Sequence, residues 1–271
     1  MAKAFEGTDH EFYIDGYMKD NLDQAKKIIK EDWDMIFVFD GMEGSGKSVC
    51  AMQCAFYCDP VQDLIERVTF TPDSFKKAIL NAKPFQAVIY DEAHSGLNAR
   101  ASMSIINRSL VSMLTEIRQK NLFVFVVLPT FFDLDKYVAL WRSRALIHVY
   151  TSTGMQRGYF SFYNSTSKKM LYMKGKKLYK YGVQKPNFIG RFCGFYPVDE
   201  AEYRKRKRMA LKGREQAQEG QDQDKAHKKW LWGRLMAVGQ DVPVKARIAL
   251  LGITEVTYYR WIKQDKESDA E

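Results

Sequence analysis

Long apolar runs are missing from this sequence. The longest, LFVFVVLP at 122–129, is of strand length, far short of the roughly 20 residues a membrane-crossing helix needs, so no transmembrane segment is expected. The opening stretch, MAKAFEGTDHEF, lacks the apolar core of a secretory signal, and a cytoplasmic location is the expectation. Cysteine is scarce, with Cys50, Cys54, Cys58 and Cys193 making up the four. None forms the C-x-x-C pair of a zinc module. The first three recur every fourth residue and share one face of a helix, where reduced thiols packed inward are expected; a metal site is the alternative. No internal repeat is visible.

The chain has 271 residues, 46% hydrophobic and 28% charged, which allows one sizeable α/β domain and a smaller appendage. Charge is uneven. Residues 1–150 hold 17 Lys+Arg against 20 Asp+Glu, a net of −3, whereas residues 151–271 hold 25 against 13, a net of +12. A basic back half suits a polyanion, or it is a solvated charged tail.

Apolar spacing predicts a helix over 17–32, a buried strand over 35–40, and a helix over about 47–57. A strand at 67–71 and a proline-started helix capped by Thr71 or Asp73 follow. Further strands are expected at 85–94, 121–130 and 145–151, with helices over 102–120 and 133–144 between them. Strands alternating with helices imply an α/β fold with a parallel sheet flanked by helices over 1–151. Residues 152–198 read as a β-hairpin extension, because GYFSFYN, KMLYMKGKKLYKYG and FIGRFCGFY set aromatics between glycine or polar turns. Residues 199–229 read as a charged linker, helical at best, and 230–271 as a small helical segment.

The stretch FVFDGMEGSGKSVC carries the first chemistry. Gly41-x-x-x-x-Gly46-Lys47-Ser48 satisfies every defined position of a P-loop. Side chains are withheld there so that main-chain N–H groups can wrap a triphosphate, with the positive end of the following helix behind them. Gly41, Met42, Glu43, Gly44, Ser45, Gly46, Lys47, Ser48 and Val49 are thus the expected ATP-binding residues. Lys47 would meet the outer phosphates and Ser48 would ligate Mg2+. A chance match in a glycine-serine turn is the alternative.

Asp91 and Glu92 end the strand AVIYDE. Strand C-termini line the ligand crevice of a parallel sheet, which would put this pair beside the P-loop. Asp91 suits magnesium and Glu92 suits the base that polarises an attacking water. A surface pair or a helix cap is the bland reading. Residues 91–94 spell Asp-Glu-Ala-His, a helicase tetrad, but no second motor domain follows. His94 could couple nucleotide state to a neighbour or be an ordinary loop residue. Thr130, at the tip of FVFVVLPT, is expected either to sense the terminal phosphate or to cap the next turn.

With GMEGSGKS, VIYDEAH and the run LTEIRQKNLFVFVVLPTFFDLDKYVALWRSRALIHVY, the front half resembles P-loop ATPases of the additional-strand catalytic-glutamate class. Within it, viral DNA-packaging ATPases, HerA–FtsK translocases and zonula occludens toxin-like phage proteins are the most similar. Thr130 replaces the polar glutamine usual in HerA–FtsK proteins. The resemblance implies ATP hydrolysis with Mg2+, a homo-oligomeric ring, host cytoplasm if the protein is viral, and a portal or other assembly partner. It also implies an arginine acting in trans, for which Arg142 and Arg144 come first, then Arg118, Arg108 and Arg100; a surface ion pair is the alternative for each.

VPVKARIALLGITEVTYYRWIKQ (242–264) resembles the helix-turn-helix of recombinases and small terminase subunits. On that reading Gly252 turns, Thr254 caps, Thr257, Tyr258, Arg260 and Lys263 face DNA, and Val256 and Trp261 pack inward. An amphipathic hairpin is the alternative. The run Arg204, Lys205, Arg206, Lys207 and Arg208 is either a second DNA contact or a solvated helix face. The expected function is an ATP-driven oligomeric motor that translocates or packages DNA. Alternatives are an ATP-dependent DNA-binding regulator, such as a helicase loader or transposition target selector, and a phage assembly or secretion ATPase.

Overall fold

The apolar runs become strands because both of their faces find cover. In the computed structural model, which describes residues 2–8, 10–91, 99–238 and 243–268, seven strands form one sheet. They are β3 (Met35–Asp40), β4 (Val68–Thr69), β5 (Ala87–Asp91), β6 (Phe123–Val127), β7 (Ser143–Tyr150), β8 (Tyr159–Tyr163) and β9 (Phe188–Arg191). A two-stranded ribbon, β1 (Lys3–Ala4) with β2 (Phe12–Tyr13), precedes them. The sheet order is β4-β5-β6-β3-β7-β8-β9. From β4 to β7 every pairing is parallel, while β8 and β9 add on antiparallel.

Strand alternation splits the core between two layers. Phe37 and Phe39 face α1 (Gly16–Ile28) and α2 (Lys47–Cys58) on one side. Ile36 and Val38 face α3 (Pro72–Asn81), α4 (Ala99–Gln119) and α5 (Ser165–Gly175) on the other. Burial on both faces is why these strands read as continuous apolar runs. α3 starts at a reciprocal cap: Ser74 N donates to Thr71 Oγ1 at 3.2 Å, and Thr71 N donates to Ser74 Oγ at 3.1 Å. With Pro72 in the first turn, this is the start signal expected from the sequence.

Cys50, Cys54 and Cys58 are buried free thiols of α2. The hydrogen bond with Cys50, and then burial, push the Cys54 thiol well up; burial does the same for Cys58. Both stay protonated and inert.

The chain divides into two compact units, Met1–Leu211 and Lys212–Glu271. α6 (Glu200–Val238) begins in the first and continues into the second. The second also holds α7 (Val244–Leu251) and α8 (Glu255–Ser268), and Trp232, Leu251 and Tyr258 form its core. Among the described residues no helix is long and apolar enough to cross a membrane.

Four expectations change. The segment 152–198 is no separate hairpin extension, because β8 and β9 extend the main sheet. Its middle is α5, whose Tyr172 is buried and donates to Leu134 O at 2.9 Å. The helix expected over 133–144 is only a π-helical turn, Val138–Arg142, since β7 starts directly after it. The charged linker is helical, and its first turns pack into the first unit, as Tyr203 at 4% exposure shows.

Candidate functional site

β3 delivers the chain to its C-terminal edge at Asp40, and three glycines with left-handed φ follow: Gly41 (141°), Gly44 (75°) and Gly46 (95°). Two of them also have no room for a side chain. A Cβ on Gly41 would lie 2.0 Å from Val149 O, and one on Gly46 would lie 2.9 Å from the Phe192 ring. α2 begins at Lys47, so the first N–H groups of a twelve-residue helix meet the loop with no intrahelical acceptor. The Lys47 ammonium donates to Gly41 O at 3.1 Å and Met42 O at 3.3 Å. Burial pushes its pKa down, and Asp91 acts against that shift. The Ser45 hydroxyl is buried with no partner among the described residues.

Two strands away, β5 ends in Asp91, 1% exposed. One of its oxygens, Oδ2, accepts from the Tyr203 hydroxyl at 2.5 Å and the Lys207 ammonium at 3.0 Å. The other, Oδ1, is buried and has no partner among the described residues. Burial, and next the Asp91 charge, hold the Tyr203 phenol far above the usual range. Ser48, Asp91, Tyr203 and Lys207 converge on one point.

That point opens on a cavity of about 630 Å³, lined by Lys47, Ser48 and Asp91 from the sheet edge and by Arg157, Phe192 and Tyr196 from later segments. The segment carrying Phe192 is held firmly. Phe192 N donates to Gly158 O at 3.0 Å. The buried Gln53 amide donates to Cys193 O at 2.8 Å and to Phe195 O at 2.7 Å. Among the described residues, four cations line the cavity (Lys47, Arg157, Arg204 and Lys207) with two carboxylates, Glu43 and Asp91. Such a cleft favours a polyanion with a flat apolar group at one end.

A second buried carboxylate braces the loop. Asp40 Oδ2 accepts from Phe131 N at 2.8 Å and from the Tyr181 hydroxyl, while Oδ1 accepts from His148 Nδ1 at 2.9 Å. The His148 ring stacks on Tyr181 at 3.8 Å. Thr130 belongs to this network: its hydroxyl lies 3.2 Å from Tyr181 Oη and accepts from Phe132 N at 3.4 Å. It caps the short helix Phe131–Asp133, while its neighbour Pro129 lines the cavity.

Met42, Glu43 and Val49 lie in or beside the loop as expected. Glu92 and His94 fall outside the described residues, as does the side chain of Arg100. Arg142 donates to Asp34 at 2.6 Å, and Arg144 lies 3.9 Å from the same carboxylate. Both flank the N-terminal ends of β3 and β7, opposite the glycine loop. Arg118 lines a separate hollow with Arg142, and Arg108 sits in α4.

The basic run of α6 divides between exposed intrahelical pairs and contacts with the rest of the first unit. Arg204 pairs with Glu200, Lys205 with Glu202, Arg206 with Glu66 and Glu202, and Lys207 with Asp91; Arg208 is exposed. In the second unit, Gly252 turns in the left-handed region and Thr254 caps α8, accepting from Thr257 N at 3.3 Å. Tyr258 is the exception among the residues expected to face outward: it is 1% exposed and packs on Trp232, whereas Val256, expected inside, is 70% exposed. The open face of α8 carries Val256, Tyr259, Arg260 and Lys263. Thr257 is half-buried, and Trp261 packs on the core as expected.

Sequence reasoning missed Arg157, Phe192, Tyr196 and Tyr203, and it assigned Lys207 elsewhere. No local signal marks them, because each reaches the site from more than 100 residues beyond the glycine loop. No known protein-family model matches the chain, and no curated protein matches it.

Proposed function

We propose that the first unit is a P-loop ATPase and the whole chain an oligomeric motor that moves DNA. One observation carries the reading: Lys47, Ser48 and Asp91 converge at the C-terminal edge of parallel strands, beside a glycine loop that leads into a helix N-terminus. The triphosphate would lie on the loop with Lys47 at its outer end, and the nucleoside would extend toward Phe192 and Tyr196. Mg2+ fits the donor set, since Ser48 and Asp91 offer oxygen ligands and Asp91 Oδ1 is a buried acceptor without a partner among the described residues. Bound there, the ion would neutralise charge on the transferring phosphoryl group. Glu92, next in sequence, is the proposed base for water. The DNA reading rests on the basic back half and on the exposed Arg260 and Lys263 of the turn-linked pair α7–α8, read as a helix-turn-helix.

The test is ATP hydrolysis by the full chain, with and without DNA. Hydrolysis should rise with DNA and fall by at least about a hundredfold in Lys47→Ala and Glu92→Gln. Parent-like turnover in either variant sinks the reading. Displacement of streptavidin from biotinylated DNA separates a motor from a DNA-binding regulator, which would hydrolyse ATP without clearing the block.

A further inference from the structure

A buried carboxylate requires a countercharge, and at Asp91 helix α6 supplies it. Lys207 Nζ lies 3.0 Å from Asp91 Oδ2 and 3.1 Å from the Tyr203 hydroxyl; the lysine side chain is 30% exposed and the aspartate 2%. Tyr203 donates to Asp91 and lines the same cavity as Ser48; Asp91 and Ser48 are the two oxygen donors proposed for Mg2+. Tyr203 is itself fixed against Phe70, ring centroids 5.6 Å apart, so its hydroxyl on Asp91 is held from behind. Lys207 is different: it reaches the carboxylate on a flexible four-carbon stem from the cavity wall. An ammonium on Oδ2 and a divalent cation on Oδ1 of the same carboxylate lie close enough to repel each other strongly.

We propose that Lys207 is a resident counter-ion beside the metal's seat, a positioning residue that holds the Asp91 carboxylate in place at the cavity wall it shares with Ser48 until Mg2+ displaces it. Lys207 and magnesium therefore compete for Asp91, and the lysine stem swings off the carboxylate as the metal arrives, while Tyr203 keeps the first turns of α6 seated. This gives one lysine of the 204–208 run a role at the nucleotide site. The inference rests on the P-loop reading for the identity of the metal, but the competition itself does not need nucleotide.

The experiment measures metal affinity rather than turnover. Binding of a methylanthraniloyl-ATP analogue to the full chain is followed as Mg2+ is raised. Lys207→Gln should lower the half-saturating Mg2+ by about tenfold, the scale of one charge interaction in a part-buried site. Lys207→Arg, which keeps the charge, should stay near the parent. An unchanged midpoint in Lys207→Gln, or one moved to higher Mg2+, overturns the proposal, because a packing residue or a phosphate ligand would give those results. Electron paramagnetic resonance of Mn2+ with nucleotide-free protein keeps the two ideas apart. If no analogue binds, yet Lys207→Gln gains Mn2+ affinity that Asp91→Asn abolishes, the counter-ion stands and the ATPase reading fails. No gain in either assay removes the counter-ion.

Discussion

Asp91 draws its hydrogen-bond donors from residues 112 and 116 positions downstream, which makes the site sensitive to single side chains far away in sequence. Phe192 is one of these. If its ring supports the nucleoside, Phe192→Ala should weaken ATP binding by about tenfold, on the scale of one aromatic stack. Inorganic tripolyphosphate should bind as before, and calorimetry with the two ligands decides it; equal weakening for both would place the ring elsewhere. Lys168 is another isolated case, with no solvent exposure. Its ammonium donates to Ala139 O at 2.5 Å and Leu140 O at 3.3 Å, and burial lowers its pKa to about 7. The unfolded chain, with an ordinary lysine pKa near 10.4, binds more protons between about pH 7 and 10. Stability of the first unit should thus rise with pH across that window, by at most about 1.4 kcal/mol per pH unit from this group. Lys168→Met should flatten that rise in urea titrations; an unaltered slope would show that Lys168 stays charged in the folded state.

At the scale of elements, α8 forms where a helix was expected, but Val256 and Tyr258 exchange the faces expected of them. Tyr258 fills the core of the second unit with Trp232 and Leu251. Tyr258→Ala should therefore destabilise that unit by about 3–5 kcal/mol, as other large aromatic truncations do. A core with only three fully buried residues among those described cannot absorb such a change, so helical signal from residues 212–271 should fall at room temperature. By contrast, Arg260→Ala with Lys263→Ala should leave the helices intact, weaken DNA binding and reduce its salt slope by about two, one for each phosphate no longer neutralised. Circular dichroism and salt-dependent anisotropy check both halves. If the double variant binds DNA like the parent, α8 is a packing helix. α5 teaches a related lesson, because its lysines and tyrosines suggested a hairpin. Asn164 caps it, accepting from Thr166 N at 3.1 Å and Ser167 N at 2.9 Å, and Leu171 and Tyr172 seat it under the sheet.

For the whole molecule, the division at Leu211 separates a large core from a small one. The chain ending at Leu211 keeps both layers of the sheet and every described residue lining the cavity. It should melt cooperatively and bind the ATP analogue within about threefold of the full chain, while its DNA affinity drops if α8 grips the duplex. Failure of nucleotide binding in that truncated chain would mean that the site depends on residues beyond 211.

The sequence alone settled those features that depend on neighbours along the chain. Strand, glycine loop and helix at 35–58 follow from a continuous apolar run meeting residues that tolerate left-handed φ. The Thr71–Ser74 cap and the strand ending in Asp91 were legible for the same reason. Tertiary structure alone decided what faces the loop. Arg157, Phe192, Tyr203 and Lys207 arrive through antiparallel strands and a helix whose docking depends on matching burial across the fold, which carries no local periodic signal. The phase of α8 was also a tertiary outcome. Val256 and Tyr258 are two residues apart and lie on different faces of the helix, and only the pocket beside Trp232 selects which of them goes inside.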